Sequence, residues 1–554
     1  MEWYYVIPVA YLILLVCIGI YIAKRQETRS DFFVASNRMD GAVLFATIMS
    51  TVVGANTYMG FSGDIFETGM SNYWLLFGAG MSYFVLFFIS GKIRMIASKY
   101  EVFTLPDLVE LRYSKPVAII VTMFSLVGLV GGAGGGILGI GIILNSLFGI
   151  DVTTAVLVTA VVTITYTALG GLWGVALTDW FQSIIMIIGV FLILTFGVSA
   201  VAPSGAFFTG SFEIVEVFEG NIGGEFIDPL AGMTFALGLA WTITFMPLNT
   251  ISQTSIQRVY AAENVPQIRK ISLLMVIFIS LVLTFGLSLI GLLGSGIFTE
   301  LDNAEAVFPM LSLELLHPVI GMIVVTGIMG AAKSTVDSNF LGSAIHFSRD
   351  IYEAYMKTYK NKKIDDKEGL FVSRVAIVVI GVASTLAALW APGIMDLLVM
   401  TQQIFAGATF APIILGFYWT RANAPGAMTG IILGGGTMFL SNLIEIPLTN
   451  EPLIAALLLS IIGVIVGSLL SSEDKENGAV FSFATNITKN DLVLLALTVL
   501  VVVIWSLALI NPSAWPYLII TTVVLLGASI VFLVYNFIKT RIKAQSTKQK
   551  TINQ

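Results

Sequence analysis

Runs of apolar residues about 20 long, each able to cross a ~30 Å hydrocarbon core, recur along the chain near 4–23, 41–69, 73–91, 116–148, 152–170 and 179–201. Nine more lie near 230–252, 271–297, 319–345, 371–391, 394–418, 425–446, 452–471, 492–511 and 514–538. The pattern predicts an all-α polytopic membrane protein of about fifteen spans, because a helix satisfies its own backbone where lipid offers no partner. Composition agrees: 57% of the 554 residues are hydrophobic and 11% are charged, against roughly 25% charged in soluble chains. The 52 glycines and 16 prolines suit packed membrane helices. A net charge of -6 argues against nucleic acid as a partner. The single cysteine, Cys17, leaves no intrachain disulfide and no cysteine metal site.

Charge fixes an expected orientation. The first run is read as a retained helix with its N-terminus outside, since Glu2 precedes it and Lys24 and Arg25 follow it. Strict alternation from there puts 27 of the 28 basic residues on the cytoplasmic side, including the tail from Lys539 onward. The exception is Lys333, in mid-helix. The largest outer loop, 202–229, is acidic, with Glu213, Glu216, Glu219, Glu225 and Asp228. It reads as a solvated surface or as a vestibule that attracts cations. The expected location is the cell membrane, multi-pass, with a cytoplasmic C-terminus.

Two spans look interrupted. In 41–69, Gly54, Ala55, Asn56 and Thr57 fall in the middle; in 230–252 and its continuation, Pro247 removes a backbone donor and Asn249, Thr250, Ser252 and Gln253 follow. Each alone fits a small-residue packing seam as well as a binding site. Their offset of five helices makes the second enter the membrane from the opposite side, the pattern of an inverted repeat with its site at the repeat interface. The expected organisation is 1–40 (peripheral helix and loop), 41–201 (first repeat), 202–229 (outer loop), 230–420 (second repeat), 421–540 (peripheral helices) and 541–554 (basic tail). This is a five-plus-five core with one extra helix before it and four after. Beside the breaks, Asn56, Thr57, Trp241, Phe245 and Asn249 are candidate solute contacts, against ordinary core packing. The run Gly128–Gly141 reads as a close-packing seam, having no strand before it and no Lys-Ser/Thr after it.

Three motifs carry a family resemblance: TYTALGGLWGVALTDWFQSIIMIIG, with Gly170, Gly171, Thr178, Asp179 and Gln182; IQRVYAAEN, with Gln257 and Arg258; and GAAKSTVDSNFLGSAIHFSRDIY, from Gly330 to Tyr352. Together they resemble the sodium:solute symporter family over about residues 5–420. The resemblance implies a leucine-transporter-like fold and secondary transport driven by a sodium gradient. It implies a coupling sodium between the first and eighth core helices, held by the carbonyls of Ser50, Val53 and Ala331 and the hydroxyls of Ser334 and Thr335. Neutral oxygens suit a hard cation that must be released each cycle, and at ~100° per residue Ala331, Ser334 and Thr335 share one helix face. The competing reading has these hydroxyls bonding back to their own helix. Asp179 resembles the family's signature aspartate, as a relay or second sodium ligand, or else as a charge at a helix N-terminus.

Lys333 departs from the family pattern. It lies four residues before Asp337, both opposite the hydroxyl face, so a buried Lys333–Asp337 ion pair is expected. The alternative is an ammonium that replaces sodium. The functional expectation is sodium-coupled symport of a small organic solute, with no organic cofactor and no obligate protein partner. A proton-coupled or ion-independent transporter and a transporter-like sensor are the alternatives. An enzyme is not expected: HExxH and Gly-x-Ser-x-Gly are absent, and the two histidines, His317 and His346, fall at predicted span ends.

Overall fold

The computed structural model describes residues 3–23, 39, 41–100, 102–201, 224–231, 235–441, 452–471 and 487–552. Lys24 to Arg38, Glu213 to Glu219, Lys475 and the side chains of the basic tail lie outside that description. Helix α1 (Val6–Ala23) precedes a broken helix, α2 (Gly41–Val52) and α3 (Ser62–Thr68), joined through Val53–Ala55 and a π-helical turn, Asn56–Phe61. The two halves meet at 58°. Helix α4 (Tyr73–Lys99) leads to the short α5 (Leu105–Arg112), which starts with a capping box of Thr104 and Asp107 and has Pro106 in its first turn. Helix α6 spans Lys115–Phe148.

Helical backbone then runs unbroken as α7 (Val152–Val201), with two membrane-length stretches, Val152–Leu169 and Phe181–Val201. The loop expected at 171–178 is therefore helical; that segment has no proline, so every residue there can donate to the ladder.

The second interrupted span is α8 (Phe235–Thr250) and α9 (Gln253–Ala261). Its break falls at Ile251–Ser252, later than Pro247, which α8 accommodates. Ser252 Oγ restarts the helix by accepting the Ser255 N–H at 3.2 Å. Next come α10 (Val265–Met275), continuous through π-helical Val276–Leu283 with α11 (Thr284–Ile297), then α12 (Val307–Leu315) and α13 (Pro318–Ile345). His346 does not end α13 as expected: the helix widens to π over His346–Glu353 and continues as α14 (Ala354–Tyr359). Helices α15 (Asp366–Trp390), α16 (Ile394–Tyr418), α17 (Ala424–Ser441), α18 (Pro452–Leu470), α19 (Lys489–Leu509) and α20 (Trp515–Ile552) complete the chain.

Among the described residues eleven helices are long and apolar enough to cross a membrane, twelve with the bent pair, against the fifteen expected. The other three runs are helical where described: α1 (Val6–Ala23) and α8 (Phe235–Thr250) each adjoin residues outside the description, and α17 is diluted by Gly426, Gly430 and Gly434 to Gly436. No strand occurs among the described residues; Met39 N–H donates to Ala261 O at 3.2 Å in an isolated bridge.

Helix α13 is the central post, buried at every residue from Val324 to Ile345 and packed by α2, α6, α7 and α15. At the periphery, α19 turns Val493, Leu500 and Leu507 outward, as lipid contact requires.

Candidate functional site

The break after Val52 abuts α13. A Cβ on Gly54 would lie 2.0 Å from Thr335 Oγ1 and 2.8 Å from Thr335 Cβ, so the backbone approaches α13 more closely than any side chain allows. Thr335 Oγ1 donates across this gap to Thr51 O (3.2 Å) and within its own helix to Ala331 O (3.3 Å). One helical step away, Ser50 Oγ donates to Ser334 Oγ at 2.7 Å, and Ser334 Oγ donates to Asp179 Oδ1. Thr47 Oγ1 donates to Asp179 Oδ2 at 2.8 Å. The junction thus gathers Ser50, Ala331, Ser334, Thr335 and the broken backbone at Val53, with Asp179 behind them. Ser50, Val53, Asp179, Ala331 and Ser334 are wholly inaccessible to solvent. Only Thr335 also bonds back to its own helix. Asp179 sits within α7, not at a helix start, so the macrodipole reading has no helix end to act on. An oxygen-only set of carbonyls, hydroxyls and one carboxylate suits a hard cation.

Lys333 points elsewhere. Its ammonium pairs with Asp337 and lies 3.3 Å from the centroid of the Tyr166 ring, a cation–π position. Thr167 Oγ1 donates to Asp337 at 2.5 Å. Both charged residues are buried, against Tyr166 and Thr167 of α7.

Beside the junction is a cavity of about 90 Å³, room for about three waters at ~30 Å³ each. Of the five sequence-predicted solute contacts it takes in Asn56, Thr57, Phe245 and Asn249. Trp241 is not on it: one turn earlier on α8, the ring is half-buried in the apolar packing. Asn56 is 5% exposed and its Oδ1 has no hydrogen-bond partner. Sequence reasoning missed Ser125, Asn339 and Gln402 on the cavity wall. Asn339 follows Thr335 by four residues on one face of α13, a signal the sequence offered. The glycine run does form a packing seam, with Gly135 against Asn56 and Gly136 against Val336, and Gly128 and Gly132 of it also line the cavity. Every lining side chain is uncharged.

Buried Arg258 of α9 ties the two broken helices to the post: Nη2 donates to Thr51 Oγ1 and Ser338 Oγ, both at 2.7 Å. Beyond the cavity, Gln253 Oε1 accepts Leu105 N–H (2.8 Å), and Asp107 pairs with Arg349 (2.9 Å). Burial pushes the Asp107 carboxyl up, against the pull of the Arg349 guanidinium. At the other end Glu305 accepts the first amide of α16, Ile394 N–H, at 2.6 Å. Burial, with Asp396 and Glu67 nearby, pushes its carboxyl up to about 7.

Two helices interrupted beside a common buried post, around a neutral polar cavity in a membrane-crossing bundle, define a transporter. The chain belongs to the sodium:solute symporter family, whose model matches residues 32–434. It is 25% identical over 471 residues to the sodium/pantothenate symporter of Escherichia coli (strain K12), covering 83% of this chain and 95% of that one. It is 25% identical over 454 residues to sodium/proline symporter 2 of Staphylococcus saprophyticus, covering 78% and 84%. Its fold matches the substrate-bound outward-open structure of a Na+-coupled sialic acid symporter, with a TM-score of 0.72 at 18% identity over 86% of this chain and 99% of that one. Family and relatives are transporters, not enzymes.

Proposed function

We propose that the chain carries a small organic solute and sodium together across the cell membrane by alternating access. Sodium is bound where the α2 break meets α13, by the carbonyls of Ser50, Val53 and Ala331 and the hydroxyls of Ser334 and Thr335, with Asp179 relaying the ion. The observation that carries this reading is the pairing of Gly54 with Thr335, which leaves backbone and hydroxyl oxygens facing each other across two helices. The solute occupies the neighbouring cavity, oriented by Asn56, Thr57 and Asn249 and walled by Phe245. Trp241 acts outside this wall as packing. Residues 41–201 and 230–420 are the two repeats that rock about the site, and the N-terminus faces outward with the basic loops inside.

Replacement of sodium by the Lys333 ammonium has less support. The ammonium is held by Asp337 and the Tyr166 ring. The relatives name the probes for a test: proline, pantothenate and sialic acid, radiolabelled, offered to proteoliposomes under an imposed sodium gradient and, separately, a proton gradient. Sodium-driven accumulation of one of them, reduced by Ser334→Ala and Thr335→Val, is expected. Accumulation that follows only the proton gradient and ignores both substitutions refutes the reading.

A further inference from the structure

His346 is one of only two histidines in the chain, wholly buried, and bonded through both ring nitrogens. Nε2 lies 2.8 Å from Ser125 Oγ and Nδ1 2.7 Å from Asp350 Oδ2. Ser125 lines the central cavity. Asp350 lines a second, separate cavity of about 40 Å³, together with Asp107, Glu110, Lys115 and Arg349. Both spaces exceed the ~10–15 Å³ that one water needs. Hydrogen-bonded side chains therefore lead from one water-sized space to the other, with His346 as the middle member. The backbone here is π-helical over His346–Glu353, a form concentrated at functional sites.

We infer that Ser125, His346 and Asp350 form a proton relay between the solute cavity and the side of the molecule bearing Asp107, Lys115 and Arg349. An ionised carboxylate only accepts, so Asp350 fixes the imidazole proton on Nδ1 and leaves Nε2 to accept from Ser125. In one passage a cavity water gives a proton to Ser125 Oγ as the Ser125 proton moves to His346 Nε2. The Nδ1 proton moves to Asp350, and the resulting carboxylic acid releases it to water in the second cavity. The passage leaves the neutral ring protonated on Nε2; rotation of the ring out of its two hydrogen bonds lets Nε2 give that proton to water and Nδ1 take one from water, which restores the starting tautomer with no net change in protons. One proton leaves the first space, one enters the second, and no electron moves.

The charged surroundings are compatible with a mobile proton. On the same helix, Arg349 is taken up by Asp107 of α5 at 2.9 Å. Asp350 Oδ1 accepts the Thr104 hydroxyl at 2.9 Å, a bond that survives protonation of the other oxygen. From α6, Lys115 donates to Thr358. From α15, Glu368 is held by Tyr352 and Lys362, and α9 contributes the neutral Gln253 and Tyr260. The relay lies apart from the Ser334–Asp179 junction, so it goes beyond sodium coupling and does not depend on it.

The test uses the full chain in liposomes with a pH dye trapped inside, potassium and valinomycin clamping the voltage, and neither sodium nor organic solute present. After an external acid step, protein-dependent acidification is expected, and His346→Gln and Asp350→Asn are each expected to slow it by about 100-fold. Thermal unfolding in detergent checks that each variant is folded, and where one is not, the other decides. Wild-type flux no faster than in protein-free vesicles, or equal flux in wild type and a folded variant, overturns the relay. Because sodium and solute are absent, that outcome leaves the symport reading standing.

Discussion

Gly54→Ala probes the junction with the smallest available perturbation. The added methyl carbon would stand 2.0 Å from Thr335 Oγ1 and 2.8 Å from Thr335 Cβ. Rotating the threonine removes the first clash and not the second, because Cβ does not move with χ1. Restoring the 3.4 Å at which ordinary contact begins requires about 1.4 Å of movement at the oxygen and about 0.6 Å between the backbone elements. Overpacking of this kind costs about 1–3 kcal/mol in a packed core. The effect on cation binding is larger, since metal–oxygen distances hold to about 0.2 Å. The expected result is a modest fall in Tm without sodium and loss of most of the further stabilisation that sodium gives the wild type. Thermal unfolding of purified protein across a sodium series, with choline holding ionic strength, measures both. Gly436→Ala is the control, as nothing lies within 4 Å of its added carbon. Gly54→Ala protein that gains as much Tm from sodium as wild type refutes the placement of the ion at this junction.

Three further outcomes follow from the same coordinates. Lys333→Met leaves Asp337 ionised and unpaired in the core and should destabilise by about 3–5 kcal/mol, whereas Lys333→Met with Asp337→Leu should recover most of that; a double variant no better than the single contradicts the ion-pair assignment. Because burial raises the Glu305 carboxyl from 4.5 to about 7, the group adds stability that is full below about pH 4.5 and is lost as pH rises through 7. Tm should therefore fall between pH 5 and 8, and Glu305→Gln should flatten that part of the profile; parallel profiles would show that Glu305 does not titrate there. Asn56→Leu should weaken solute binding with the response to sodium retained, read as Tm shifts with proline, pantothenate and sialic acid and with sodium alone. Loss of both responses would place Asn56 in the ion site instead.

Much of this architecture was legible because a bilayer imposes a coarse, strong pattern: length and hydropathy located the helices, and polar residues in mid-span located both interruptions. Boundaries set by hydrogen bonding rather than hydropathy were not legible. Pro247 looks like the break, yet α8 absorbs it and reopens at Ser252, where a side chain can cap α9. The interval between the runs 152–170 and 179–201 reads as a loop, yet the backbone there stays helical. His346 reads as a helix end, yet the helix widens to π there and continues; its Asp350 partner is local, four residues on, and only its Ser125 partner comes from a distant helix. The α13 face carrying Ala331, Ser334 and Thr335 was readable from helical periodicity, as was the pairing of Lys333 with Asp337 four residues on. The partners across the gap were not, since Ser50 and Asp179 meet Ser334 from 284 and 155 residues away in sequence, and Thr47 meets Asp179 from 132. Trp241 shows the limit of arguing from proximity in sequence: one helical turn was enough to remove it from the cavity wall.

The most direct test of the account is equilibrium binding of radioactive sodium to the purified protein, compared with Ser334→Ala and Thr335→Val, singly and together. It requires no knowledge of the solute. Saturable binding in wild type, weakened by about tenfold or more in each single variant through loss of one oxygen ligand and abolished in the pair, is the predicted result. Unchanged saturable binding in the double variant, with its fold intact, would contradict the claim that sodium sits between the broken helix and α13.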